Sequence, residues 1–169
     1  MNYQLIEPRI LRKELNAVER VLTNRGIALG DIKHYLNTTD DDILNPALVD
    51  NMMAGVKMLA RHIANNDLIM FQVDSDCDGD TSSAALLNYL YCLFPAYVQS
   101  KIIYRFHEGK EHGIIEETIP EGVKLVVAPD SSSNDYEVHK KLKERGIDVL
   151  VIDHHEAEKV SDNAVVINN

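Results

Sequence analysis

The chain lacks several of the features that would place it in a familiar class. It has two cysteines, Cys77 and Cys92, in 169 residues. With no CxxC spacing and no thiol cluster they support neither a zinc knuckle nor a disulfide framework, and they read as reduced thiols. No stretch approaches the ~18 consecutive apolar residues of a membrane helix, and the first residues lack the basic-then-apolar pattern of a secretory signal. A soluble, cytoplasmic protein with no membrane partner is therefore expected. Positive charge is scarce as well, with 17 Lys and Arg against 27 Asp and Glu for a formal net charge of -10. That argues against a simple basic surface for nucleic acid, because phosphate neutralisation takes clustered cations. It does not exclude phosphate chemistry, since divalent cations held by a local group of aspartates would reverse the sign there. Repeats and low-complexity linkers are absent. What is present, 45% hydrophobic residues, can fill one core, so the chain is a single domain or one lobe of something larger.

Hydrophobic periodicity divides that core into alternating elements. Ile10, Leu11, Leu15, Val18, Val21 and Leu22 recur at three- and four-residue spacings and predict a helix over 8–25, stopped by Gly26. Residues 36–45 read as a loop, and Pro46 can open a second helix reaching about Asn65. Leu68 to Val73 is a short apolar run suited to a strand buried on both faces. A helix over 81–93 follows, with Thr81 or Ser82 as caps and Pro95 at its end. Further strands are expected over 98–104, 124–128, 149–152 and 164–167, with a helix over 134–145. The expected fold is thus α/β, a largely parallel five-stranded sheet flanked by helices. Residues 1–66 would form a helical cap packed on a core of 67–169. In such sheets ligands bind beyond the carboxyl ends of the strands.

Three groups of chemically capable residues fall at those ends: Asp74, Asp76 and Asp78 after the first strand, Asp130 after the third, and Asp153, His154 and His155 after the fourth. Each has an ordinary reading when taken alone. Aspartates cap helices, a histidine pair is common in exposed loops, and Ser131, Ser132 and Ser133 read as turn and cap residues. Together they read differently. Carboxylates crowded into a crevice repel one another and raise their own pKa values unless cations are bound. Aspartate oxygens with imidazoles suit Mn²⁺ first, then Mg²⁺, Fe²⁺ or Zn²⁺. Two such ions ~3.5–4 Å apart can hold a hydroxide and clamp a phosphate, with Asp130 as the candidate bridge. The aspartate spacing also matches the opening of a calcium-binding EF-hand loop. That loop needs a Glu where this chain has Ala85, and it follows a helix rather than a strand.

VDSDCDGDTSSAALL resembles the first motif of RecJ-like proteins of the DHH phosphoesterase family, VAPDSSSND the second, and VIDHHE the third. LNPALVDNMMAGVKMLARHIANNDLIMF is similar to the helical lead-in and YRFHEGKEHGI to the basic loop after the second strand. The likeness extends over about 37–169. It implies a DHH phosphoesterase fold with Asp74, Asp76, Asp78, Asp130 and His154 as metal ligands, Asp74 being a ligand or a supporting acid. Asp153 would orient His154, and His155 would bind metal or touch the scissile phosphate. Arg105, His107, Lys110 and His112 would face substrate phosphates. The cofactors implied are two divalent cations, Mn²⁺ first and Mg²⁺ as the alternative.

The resemblance further implies a fourth motif with another metal-binding Asp, and a C-terminal domain or subunit that grips substrate. Both are expected beyond Asn169. The activity implied is 5′-to-3′ exonuclease hydrolysis of single-stranded DNA. Two alternatives stand beside it. One is a phosphodiesterase or pyrophosphatase acting on short oligonucleotides, cyclic dinucleotides or polyphosphate, and the other is a non-catalytic interaction module on the same fold.

Overall fold

The computed structural model describes residues 15–168. By its contacts the chain divides into two compact units, Met1–Leu44 and Asn45–Asn169. In the first, α1 spans Ala17–Asn24 and α2 spans Ile32–Leu36. The start of α1 is closed reciprocally: Asn16 Oδ1 accepts the Glu19 N–H at 3.0 Å, and Glu19 accepts the Asn16 N–H at 2.9 Å. The earlier part of the helix expected from residue 8 lies outside the described residues.

The second unit opens with a 3-10 turn at Pro46–Leu48, and the helix proper, α3, runs Met52–Ala64. The expected single helix from Pro46 is broken because Asn51 adopts a left-handed conformation, φ 62°. Its amide donates to the Val166 carbonyl at 2.9 Å, so a tertiary bond overrides the local helical tendency. Then come β1 Leu68–Val73, α4 Cys77–Leu93, α5 Pro95–Lys101, β2 Ile102–Phe106, β3 Val123–Pro129, α6 Tyr136–Glu144, β4 Asp148–Asp153 and β5 Val165–Asn168.

Two of the expected boundaries move, for local reasons. Pro95 occupies the first turn of α5, where its missing N–H costs nothing, so 98–101 is helical and the second strand starts only at Ile102. The helix expected from Thr81 begins four residues earlier, at Cys77. Asp76 rather than a hydroxyl residue caps it, accepting the Gly79 N–H at 2.9 Å.

All four strand pairings are parallel, in the order β2-β1-β3-β4-β5. Phe71, Ile69 and Leu125 fill one face of the sheet beneath α3, α4 and α5. Val126, Val149 and Val151 fill the other, beneath Leu142 of α6 and the segment carrying Ile114 and Ile119. Burial of each large side chain contributes about 1.5–3 kcal/mol, and cover on both faces is what a parallel sheet requires. The order reverses direction between β1 and β3, opening a crevice at their carboxyl ends.

Candidate metal centre

Every site residue foreseen at a strand end is found at the carboxyl edge of the sheet. Asp130 follows β3 in a left-handed conformation, φ 64°, its N–H donating to the Ile152 carbonyl of β4 at 2.7 Å. This cross-strand bond fixes a non-glycine residue where few rest comfortably. His154 Nε2 lies 3.0 Å from Asp130 Oδ1. Asp130, His154 and His155 each offer a ligand atom within 4.8 Å of the others, the one such group among the described residues.

Asp130 lies in surroundings that disfavour its charge. Its carboxyl is raised above the ordinary value, first by burial and then by Asp76, with Asp78 adding to the repulsion while His154 and His155 oppose it. Its Oδ2 is buried without a hydrogen-bond partner. A carboxylate with one desolvated oxygen, grouped with two imidazoles and acted on by two further carboxylates, fits a divalent cation bound by oxygen and nitrogen. Asp76 and Asp78 are exposed on the first turn of α4, near enough to act on Asp130 but outside the tight group.

Asp153, the last residue of β4, is a hub. One oxygen accepts the His155 ring Nδ1–H at 2.7 Å, the His154 N–H at 2.7 Å and the His155 N–H at 3.2 Å; the other accepts the Ser133 N–H at 3.1 Å. Burial pushes its pKa up, but these bonds bring it down to about 2. In return the His155 ring is held above its usual value, chiefly by Asp153. The imidazole that Asp153 orients is therefore His155, not His154, which it reaches through the backbone alone. Of the buried serines after Asp130, Ser133 is tied to Asp153 and Asn168 while the Ser131 and Ser132 hydroxyls have no partner; Asp135 takes the position before α6 without a side-chain cap, so the cap role expected of them is not found.

Asp74 faces another set of partners. His107 Nδ1 lies 3.3 Å from its Oδ1, and His112 Nδ1 lies 2.5 Å from its Oδ2. Burial would raise the Asp74 carboxyl, yet these imidazoles and the Ser75 N–H hold it below the usual range. The His112 ring meets the His155 ring edge-on at 5.9 Å, linking the two halves of the site. One terminal nitrogen of Arg105 donates to both Glu111 carboxylate oxygens, at 2.7 and 3.0 Å, the other is buried without a partner, and the His107 side chain is fully buried. Of the four residues expected to face phosphates, Lys110 and His112 are exposed.

Sequence reasoning missed the fastenings behind the centre. Asn134 donates to the Glu156 carbonyl and accepts the Glu158 N–H, both at 2.9 Å, and the Asn168 amide reaches Ser133 Oγ and the His155 carbonyl. Gln72, buried inside β1, exchanges two bonds with the Ile115 backbone and so holds the segment that returns His112 to the site. A polar residue within an otherwise apolar strand was the one available signal for Gln72.

Fold and site together define a class: an open parallel α/β domain with an acidic, histidine-bearing candidate metal centre at its switch point. Residues 66–169 match the model of the DHH family, N-terminal domain, and the chain belongs to that family. Among similar proteins, the "Putative SPbeta prophage-derived single-strand DNA-specific exonuclease YorK" of Bacillus subtilis strain 168 is 42% identical over 149 residues, covering 88% of this chain and 25% of that protein. The single-stranded-DNA-specific exonuclease RecJ of the same organism is 31% identical over 144 residues, covering 82% and 18%. The chain thus spans a quarter or less of the length of these relatives. The fold matches RecJ from Thermus thermophilus in complex with Mn²⁺ (TM-score 0.60, 21% identity, 76% of this chain and 18% of that one). It also matches an exonuclease RecJ bound to manganese (TM-score 0.62, 21% identity, 75% and 33%).

Proposed function

We propose that the chain carries the hydrolytic centre of a metal-dependent nuclease that cleaves phosphodiesters of single-stranded DNA from the 5′ end. The observation that carries this reading is the Asp130, His154 and His155 group with its unpartnered, buried carboxylate oxygen. The names of the relatives, single-strand DNA-specific exonucleases, support the substrate.

Asp130 and His154, with Asp78 of α4 and Asp76 at its cap, would hold two divalent cations, Mn²⁺ first. When bound, such ions supply an activated water and neutralise charge on the phosphate. Asp153 fixes the ring of His155 through Nδ1, which leaves Nε2 to bind metal or to meet a non-bridging oxygen of the scissile phosphate. Asp74, paired with His107 and His112, would stand beside the Asp130 group as a further ligand or a supporting acid.

The test is release of end label from single strands by the full chain with Mn²⁺. Asp130→Ala should lower the rate by at least about a hundredfold, since it removes the one buried carboxylate of the group. Equal rates for wild type and variant would sink the proposal.

A further inference from the structure

The edge strand β2 changes character along its length. Ile102 packs into the core under α5, whereas Tyr104 and Phe106 on the same face are 61% and 54% exposed. Their rings meet at close to a right angle, centroids 5.8 Å apart. Edge strands are normally protected by charged side chains, and two adjoining bare aromatics on one are a feature of binding surfaces. Their register is informative. Tyr104 pairs with Phe71 and Phe106 with Val73, the residue immediately before Asp74. The next residue, His107, donates its N–H to the Val73 carbonyl at 2.9 Å and places its ring on Asp74. The exposed pair therefore runs along the sheet edge to the rim of the metal centre.

Charge decides what fits there. The chain carries a formal net charge of -10, Arg105 between the two aromatics is engaged by Glu111, and His107 is buried. Along β2 itself a strand meets no free cation, the exposed Lys110 lying beyond it in the following loop, so on this stretch affinity has to come from the faces of its bases. Single strands offer those faces unstacked, and duplexes do not.

We propose that Tyr104 and Phe106 form a stacking platform for the unpaired nucleobases of a strand entering the metal centre. Two rings at a right angle make a notch in which one base lies flat on one ring with its edge against the other. This deepens the nuclease reading and rests on it for the identity of the strand. Such a platform would favour single strands over duplexes with few phosphate contacts.

The test compares binding of a fluorescent dT strand of about 15 nucleotides with that of an abasic strand of equal length, using the full chain in EDTA so that nothing is cleaved. Wild type should bind dT about tenfold or more tighter, the size of one stacked base. Y104A/F106A should lose this difference, whereas Y104W/F106W should keep it, and the salt slope should be the same for all three. Strands bearing 5-iodouracil should photocrosslink to Tyr104 or Phe106. Equal binding of dT and abasic strands by wild type, no binding of either, or an unaltered preference in Y104A/F106A overturns the platform. So does a change of oligomeric state in that variant, which would make the surface a contact between copies. Label release with Mn²⁺ measured in parallel separates the two readings. Turnover without base preference removes only the platform, and base preference without turnover removes only the hydrolase.

Discussion

At the scale of single residues, the site depends on close approaches that leave little freedom of substitution. A Cβ at Gly79 would lie 2.6 Å from the Asp74 carbonyl oxygen and 2.7 Å from its Cβ. Backbone cannot move aside as a flexible side-chain end can, and the same glycine donates its N–H to Asp76. Gly79→Ala should therefore cost about 1–3 kcal/mol, the range of overpacked positions, and weaken Mn²⁺ binding because the loop carrying Asp76 is displaced. Gly30→Ala, where a Cβ meets nothing within 4 Å, should change stability by less than about 0.5 kcal/mol. Thermal unfolding and titration calorimetry check both, and matching behaviour of the two variants would refute the steric argument.

At the scale of elements, the end of the sheet away from the metal centre is tied by a charge cluster. Asp148 at the start of β4 meets Arg61 and the buried His62 of α3, the latter at 3.1 Å, and Lys143 of α6 at 3.5 Å. Burial would raise the Asp148 carboxyl, but the His62 hydrogen bond, then Lys143 and Arg61, bring it below its usual 3.8. A carboxyl with a depressed folded value binds its proton more readily when unfolded. Its stabilisation is then complete above 3.8 and is lost as pH falls through the folded value. Asp148→Asn should be less stable than wild type at about pH 7 and should converge with it in strong acid. Urea unfolding across about pH 2–7 measures this, and a gap that stays constant with pH would contradict it. The boundaries that moved belong to this scale too. Periodicity located α3 and α4, but Asn51 and Asp76 set where they begin, through one bond to β5 and one cap.

At the scale of the molecule, metal and stability should be linked. A cation that binds only the folded chain stabilises it by about 2.7 kcal/mol at about a hundred times its Kd. For a chain of this size that raises Tm by about 5–10 °C. Mn²⁺ should give such a shift, EDTA should reverse it, and Asp130→Ala should abolish it; calorimetric scans that ignore Mn²⁺ in wild type would remove the metal centre. If the two compact units melt separately, the shift should fall on the transition of the one containing Asn45–Asn169.

The alternation of strands and helices, the burial of β1 on both faces and the placing of Asp74, Asp130 and Asp153 at strand ends were all legible in the sequence. Each is a short-range pattern, and a strand's carboxyl end can be located from the strand alone. Only the tertiary structure decided that Asp74 faces His107 and His112, that Asp153 holds His155, and that the buried Asp130 groups with the exposed His154 and His155. The Asp74 pairings join residues far apart in the chain, through the order β2-β1-β3-β4-β5 and the turn held by Gln72. The Asp153 and Asp130 partnerships depend on φ angles and on side-chain bonds made across the turns that end β3 and β4. Neither strand order nor rotamer has a periodic signature, because both are set by packing against elements distant in the chain.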